Sequence, residues 1–284
     1  MYKVNFTTFD VMADMTFGEP LHMLDNGEYS PWVSMIFRFV KVGTRINILS
    51  TYYPCIFGLI RLVLGKKMLK TRIEHLQHSA TRVTQRLEHG RQTEGVDLWT
   101  YVLEQQEKSK EGLSRDAMDA NASLFMVAGT ETTATTLSGL IYMLLTSPTV
   151  MHKLTSEIRE SFASSSDISM ERLAKMLYLN ACIKEAMRLY PSVPGGLLHL
   201  TPAEGSSICG HFIPPGVTVS APHLPMYTSA KNFKDPLLFI PERWTDDERF
   251  AEDKRAAVQP FSVGSRDCLG KKYVKTSAQI DGCS

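Results

Sequence analysis

The sequence lacks the features of a secreted or disulfide-stapled protein. Its five cysteines (55, 182, 209, 268 and 283) include no Cys-x-x-Cys pair. A sparse, odd-numbered set of thiols indicates a reducing compartment and no disulfide framework. Residues 1–10 contain no basic segment followed by an apolar core, so we predict no signal peptide.

An excess of one charge is also missing, since 31 basic residues nearly balance 30 acidic ones and the net charge is +1. We therefore expect no binding to nucleic acid. No dinucleotide-binding fingerprint is present, because Gly195-Gly196 stands alone. The most lipid-like stretch, 52–65, is too short to span a bilayer and carries Arg61. It fits either a buried helix or a monotopic membrane contact.

Helical patterns fill the first two thirds of the chain. Apolar residues recur at helical spacing over 6–17, and Pro31 opens a second segment that runs to Val40. A basic helical pattern over 59–89 carries His75 and His78. Since no acidic or cysteine partner accompanies these histidines at metal-ligand spacing, we predict that both are surface residues.

A long helix is predicted to follow Ser114, which is a good N-cap, because no proline interrupts the chain as far as Thr146. Residues 124–128 are apolar on all sides, so this part of the helix should run through the core. Pro148 opens another helix, and residues 173–190 predict one more that ends at Pro191.

The sequence pattern changes after Pro191, where the helical spacing of apolar residues ends. Residues 208–219 predict two short strands around a turn, and residues 220–260 are rich in proline and aromatic residues and look irregular. The fold class expected is therefore mainly α, with a small β-region and an irregular stretch before residue 261.

The most informative motif is Phe261-Ser-Val-Gly264-Ser-Arg266-Asp-Cys268-Leu-Gly270. Glycines permit the tight turns that bring main-chain N–H groups around a sulfur. The arginine can pair with a carboxylate nearby. This spacing suits a thiolate held rigidly under a metal cofactor. The alternative is that Cys268 is a small buried hydrophobic residue, the usual fate of an intracellular cysteine.

Within the long helix lies Ala128-Gly129-Thr130-Glu131-Thr132-Thr133. Ala128 and Gly129 remove side-chain bulk from one turn, so that a flat cofactor or ligand could approach the backbone. Glu131 and Thr132 then place an acid and a hydroxyl on a buried helix, where an unpaired charge is costly. The alternative is a close helix–helix crossing with an exposed glutamate.

Two further motifs carry charge. Glu185 and Arg188 lie three residues apart on one helical face, and Arg243 stands in the later segment Pro-Glu-Arg-Trp at 241–244. Taken alone, Glu185 and Arg188 match a common exposed pair of little energetic value.

These four motifs, at 128–133, 185–188, 241–244 and 261–270, occur in the order typical of the cytochrome P-450 family, which the chain resembles over about residues 4–274. The resemblance implies the cytochrome P-450 fold, incomplete here, with a long central helix over haem b and an irregular meander before the cysteine loop. The general sequence pattern of its opening residues resembles that of fungal members.

The resemblance also implies a role for each residue. Cys268 would ligate the haem iron, in a loop shaped by Phe261, Gly264 and Gly270, and Arg266 would pair with a propionate. The remaining roles fall on the helices and the β-region. Glu131 and Thr132 would relay protons, Ala128 and Gly129 would make room for oxygen and substrate, His199 stands where many members have a propionate-binding arginine, and Glu185, Arg188 and Arg243 would form a buried structural network.

The implied activity is that of a haem-thiolate monooxygenase of secondary metabolism, which inserts one oxygen atom of O2 into a hydrophobic small molecule. Electrons would come from an NADPH-dependent reductase. A whole relative would be anchored in the endoplasmic-reticulum membrane on its cytosolic face, although this chain has no predicted transmembrane segment.

The chain also departs from the family. We expect residues 1–274 to form a partial domain that lacks its N-terminal part and its C-terminal end, followed by an atypical polar tail at 275–284. One alternative is therefore a non-catalytic truncated product with weak or no haem binding. Another is a haem-thiolate isomerase or peroxide-using enzyme, which the pair Glu131-Thr132 disfavours.

Overall fold

The computed structural model describes residues 2–88, 97–109 and 112–271, and the predicted tail at 275–284 lies outside them. The protein is mainly α-helical, as predicted. The α-helices in the described ranges are α1 (Tyr2–Phe17), α2 (Met23–Asn26), α3 (Pro31–Tyr52), α4 (Pro54–Glu88), α5 (Leu98–Ser109), α6 (Arg115–Leu145), α7 (Pro148–Ser161), α8 (Met170–Lys175), α9 (Leu177–Leu189) and α10 (His223–Tyr227).

Sequence signals fix several helix starts. The Ser30 hydroxyl accepts a hydrogen bond from the N–H of Val33, and Pro31 occupies the first turn of α3. Ser114 caps α6 in the same manner by accepting from the N–H of Ala117 at 3.2 Å. The predicted long helix is confirmed, since α6 runs from Arg115 to Leu145. Helix α3 extends twelve residues beyond the predicted end at Val40 and stops at Tyr52.

The prediction of one continuous helix over 173–190 is wrong. The chain breaks at Met176, which is extended (φ −71°, ψ 114°) between α8 and α9. The carboxylate of Glu157 on α7 accepts hydrogen bonds from the N–H groups of Tyr178 and Leu179, at 2.9 and 3.0 Å. A side chain from another helix therefore caps the start of α9.

Four short strands form two antiparallel pairs in the described chain: β1 (Leu198–Leu200) with β4 (Thr218–Ser220), and β2 (Ser206–Ile208) with β3 (His211–Ile213). The turn between β2 and β3 is Cys209-Gly210, and both residues have positive φ, at 50° and 81°. Two positive values of φ match the type I′ turn of a two-residue hairpin. The two strands predicted around a turn within 208–219 correspond to β3 and β4, and the structure adds that β4 pairs with β1.

The chain divides into two compact units, Met1–Glu131 and Thr132–Ser284. In the first unit, apolar side chains of α1, α3, α4 and α5 form a core that includes Phe9, Val33, Ile36, Val83 and Trp99. In the second unit, the core draws on α6, α7, α9 and the meander, with Leu137, Leu140, Leu154, Tyr227 and Phe233 fully or almost fully buried.

His75 is buried, which contradicts its predicted surface position, whereas His78 is exposed as predicted. The indole N–H of Trp32 donates to His75 Nδ1 at 3.0 Å, and the hydroxyl of Ser123 lies 2.7 Å from His75 Nε2. Burial lowers the pKa of His75 and favours the neutral ring. The prediction failed because both partners are remote in sequence.

The middle of α6 is only partly buried. Met126 is fully buried, but Leu124 is 58% exposed and Ala128 is also exposed. The expectation that residues 124–128 run through the core therefore holds for one side of the helix. Among the described helices none alone combines the length and apolar composition of a membrane span, and only the bent pair α6 and α7 would pass together by those two measures.

Candidate functional site

Cys268 stands in a short loop that the main chain closes on itself. Its N–H donates to the carbonyl of Phe261 at 2.8 Å, and the N–H of Asp267 donates to the carbonyl of Gly264 at 3.2 Å. Both Ser262 (φ 60°) and Gly264 (φ 88°) adopt left-handed conformations. A non-glycine residue in this region carries strain, which persists only where its surroundings hold it.

The thiol of Cys268 is exposed, so the alternative of a small buried hydrophobic residue does not describe it. A Cβ added at Gly270 would lie 3.7 Å from Cys268 Sγ, and Gly270 therefore leaves one flank of the sulfur open. Arg266 is exposed on the same loop. An accessible thiol on a tightly folded loop has the donor chemistry of an iron-bound thiolate, and these residues fit a haem.

A fully buried ion network lies in the same unit of the protein. Glu185 accepts hydrogen bonds from Arg188 at 2.9 and 2.8 Å and from Arg243 at 2.9 Å. All three side chains have no exposed surface. The structure therefore brings these three predicted residues together, on α9 and on the 3₁₀ turn Pro241–Trp244.

Two members of this network were not predicted from the sequence. The indole N–H of Trp244 donates to Glu185 at 2.8 Å, and Asp253 binds the guanidinium of Arg243. The rings of Phe233 and Phe250 lie 5.8 and 5.0 Å from the Arg243 guanidinium carbon. Trp244 was visible next to Arg243 in the sequence, whereas no local pattern marks Asp253.

A chain of contacts joins this network to the cysteine loop. Arg188 donates to the main-chain carbonyl of Tyr227 at 2.6 Å. The hydroxyl of Tyr227 in turn accepts from the N–H of Gln259 at 2.9 Å, two residues before Phe261. Tyr227 is fully buried, and burial raises the pKa of its phenol, which stays neutral. The network thus fixes the backbone at the start of the loop.

Glu131 lies on α6 with a buried carboxylate oxygen, Oε1, for which the described part of the chain provides no hydrogen-bond partner. Desolvation raises the pKa of its carboxyl, against an opposing attraction from Lys41. A raised pKa makes the carboxyl more readily protonated, which favours a role as a general acid. Thr132, the next residue, is half-buried.

Gly129 has a packing function. A Cβ at this position would come within 2.5 Å of Met12 Sδ on α1, so the absence of a side chain admits Met12. The helix-crossing alternative accounts for this residue. Ala128, one position earlier, is exposed, and its small side chain adds little bulk to that side of the helix.

His199 is exposed in the middle of β1, where it pairs in register with Val219 of β4. The strand pairing fixes its backbone. An imidazole there could donate one hydrogen bond to an anionic group.

Replacing Glu131 by glutamine should change how stability depends on pH. The raised pKa means that the folded protein keeps this proton above 4.5, the ordinary value at which the unfolded chain releases it. Wild-type stability should therefore fall as the pH rises from 4.5 through the folded-state pKa, and Glu131→Gln should remove that loss. Urea unfolding at several pH values measures it, with Glu160→Gln, at an exposed glutamate of α7, as control. If the free energy of unfolding of Glu131→Gln differs from that of the wild type by the same amount at every pH, the pKa of Glu131 is not raised by folding.

The fold and this site define a mainly helical protein that presents one cysteine on a loop anchored by a buried glutamate–arginine network. The profile of the family described as Cytochrome P450 matches residues 3–275. The chain belongs to the cytochrome P450 family.

Fungal proteins are among its relatives. Cytochrome P450 monooxygenase efuB of Hormonema carpetanum is 45% identical over 280 residues, which are 98% of this chain and 55% of the relative. Cytochrome P450 monooxygenase FUM2 of Gibberella moniliformis is 43% identical and covers 98% of this chain and 58% of the relative. The solved cytochrome P450DA heme domain has the same fold (TM-score 0.81, 20% identity, 99% of this chain and 59% of that chain). The chain thus spans little more than half the length of these proteins.

Proposed function

We propose that this chain carries the thiolate loop and proton-relay helix of a fungal haem-thiolate monooxygenase, which inserts one oxygen atom of O2 into a hydrophobic small molecule of secondary metabolism. The observation that supports this most strongly is the exposed Cys268, on a loop closed by its own main chain and linked through Tyr227 to the buried network.

The residues that would hold the haem b follow from the loop and the strand β1. Cys268 would supply the thiolate, and Arg266 and His199 would offer cationic or hydrogen-bonding groups to the propionates. A haem with a thiolate ligand supplies the electron push that favours cleavage of the O–O bond of dioxygen. Phe261, Gly264 and Gly270 would shape the loop.

Glu131 and Thr132 would hold and move the protons that oxygen reduction consumes. The raised pKa of Glu131 suits a proton donor, and the Thr132 hydroxyl can accept and donate one hydrogen bond at the same time. The exposed Ala128 would leave room for substrate on that turn, while Gly129 keeps the helix close to Met12.

Membership of the family implies O2 and a reductase as partners. We propose that the reductase is NADPH-dependent and that NADPH binds to it, because residues 1–284 contain no dinucleotide fingerprint. A position on the endoplasmic-reticulum membrane is proposed for the whole protein on family grounds.

The test of this function is haem binding followed by oxygen transfer. The protein, expressed with haem supplied, is reduced and treated with carbon monoxide, and the red-shifted Soret band of a thiolate-ligated haem is expected. With a reductase, NADPH and labelled dioxygen, one labelled oxygen atom should enter a hydrophobic product. A chain that folds without binding haem would support the non-catalytic alternative.

Replacing Thr132 by alanine should uncouple oxygen consumption from product formation. The change deletes a hydroxyl from the relay and removes little packing, so folding and haem content should stay near wild type. General acid–base groups contribute about 10²–10⁴-fold to rates. We expect product per NADPH to fall and the share of oxygen released as hydrogen peroxide to rise. Thr155→Ala, at a threonine whose hydroxyl binds a carbonyl within α7, is the control. Unchanged coupling would remove the support for this role.

A further inference from the structure

A cluster of three oxygen atoms joins α6 to the segment that follows α9. The hydroxyl of Ser192 lies 2.7 Å from the main-chain carbonyl of Thr132. The hydroxyl of Thr136 lies 3.0 Å from that same carbonyl and 3.0 Å from the Ser192 hydroxyl. Thr136 is only 4% exposed, and Ser192 is half-buried.

The number of hydroxyl protons and the contact distances together show which contacts are hydrogen bonds. Two hydroxyl groups supply two protons for three short oxygen–oxygen contacts. The contact from Ser192, at 2.7 Å, has the usual length of an O–H···O hydrogen bond. Ser192 therefore donates to the Thr132 carbonyl, and Thr136 donates either to that carbonyl or to the Ser192 oxygen.

This carbonyl belongs to the residue that the proposed proton relay uses. In an α-helix it already accepts from the N–H four residues later, so a hydroxyl from outside the helix gives it a further donor. Such hydroxyl contacts tilt carbonyls and bend helices locally. A tilt of this carbonyl changes the backbone geometry next to the Thr132 Cα, and rotamer preferences of a helical side chain depend on that backbone.

A second contact seats the same segment on the same face of α6. Gly139 lies two helical turns after Thr132, and a Cβ there would come within 2.7 Å of the Tyr190 ring. Tyr190 and Ser192 both follow α9, whose Arg188 belongs to the buried ion network. The segment from Arg188 to Ser192 thus runs from the buried ion network to the Thr132 turn.

We propose that Ser192 is a positioning residue for proton delivery, since its hydroxyl holds the carbonyl of Thr132 and thereby orients the Thr132 side chain. The inference rests on the proposed monooxygenase function for its catalytic consequence, but the hydrogen bond itself can be tested without haem.

The sharpest comparison uses Ser192→Thr and Ser192→Val. Threonine and valine are nearly isosteric and differ in that a methyl group of valine takes the place of the threonine hydroxyl, so the steric effect of branching at Cβ is shared. Hydrogen exchange of amides in residues 128–137 should be about fivefold faster in Ser192→Val than in Ser192→Thr, as expected for the loss of one neutral hydrogen bond. Ser161→Ala, which removes a hydroxyl 2.7 Å from the carbonyl of Glu157 within α7, should leave that exchange unchanged.

The catalytic consequence is read as the share of consumed oxygen that appears as hydrogen peroxide when a reductase and NADPH drive the haem-loaded protein without added substrate. Ser192→Val should raise this share severalfold at unchanged haem content, and Ser192→Thr should restore the wild-type share. Equal exchange in the two variants would overturn the hydrogen bond. Faster exchange with an unchanged peroxide share would overturn the positioning role. Failure of the wild type to bind haem would instead overturn the proposed function, and the exchange comparison would still decide whether Ser192 holds the turn.

Discussion

Cys268→Ser should abolish the red-shifted Soret band of the reduced, carbon monoxide-treated protein. A serine hydroxyl is a hard, weakly acidic donor that stays protonated at neutral pH, whereas the thiolate is the soft ligand that iron accepts. The loop itself should persist, because its closing hydrogen bond uses the N–H of residue 268 and the carbonyl of Phe261, both in the main chain. The absorption spectrum measures the loss directly.

Cys209→Ser is the matched control, since Cys209 is also an exposed thiol but stands on the turn between β2 and β3. It should retain both the haem and the red-shifted band. If Cys268→Ser keeps that band, another residue ligates the iron and the assignment of the site is wrong. If both variants lose it, the effect reflects general damage to the fold.

The second large effect is expected from Glu185→Ala, through stability. The Glu185 carboxylate accepts five hydrogen bonds: two from Arg188 and one each from Arg243, the Trp244 indole and the N–H of Ile240. Its removal leaves the buried guanidinium of Arg188 without the Glu185 carboxylate, while Arg243 keeps only Asp253 as its acidic partner. Breaking a buried ionic network in this way costs roughly 3–5 kcal/mol.

That cost is a large share of the roughly 5–15 kcal/mol that stabilises a typical domain. We therefore expect little soluble, haem-loaded protein, and a much lower denaturation midpoint for what remains. Glu185→Gln, which keeps the size and part of the hydrogen bonding, should lie between wild type and alanine. Glu160→Ala, at an exposed position on α7, is the control. A wild-type midpoint for Glu185→Ala would show that the network adds nothing to folding.

Local signals in the sequence predicted the helices well and the contacts of their side chains poorly. The absence of proline after Ser114 located α6 to within a residue at each end. The break at Met176 had no such signal, because the groups that cap α9 come from Glu157, about twenty residues away. The prediction that His75 lies on the surface was wrong for the same reason, since its partners Trp32 and Ser123 are more than forty residues distant.

The candidate site shows the same division. Its motif residues could be named from spacing and family resemblance, but the residues that support them could not. Tyr227 links the ion network to the cysteine loop through one main-chain carbonyl and one hydroxyl, and Asp253 completes the pairing of Arg243. These contacts depend on how the irregular stretch after β4 returns to α9, and neither periodicity nor turn chemistry encodes that path.

Arg188 has a consequence for how the meander tolerates substitution. Besides Glu185, its guanidinium donates to the main-chain carbonyls of Tyr227, Pro236 and Leu238. Because these acceptors are main-chain oxygens, the hydrogen bonds do not depend on the identity of the side chains at those positions. Exposed positions of this stretch, such as Leu237 and Leu238, are therefore free to diverge among homologues while the course of the chain is kept, whereas lysine at position 188 would lose the planar fork that reaches several carbonyls at once.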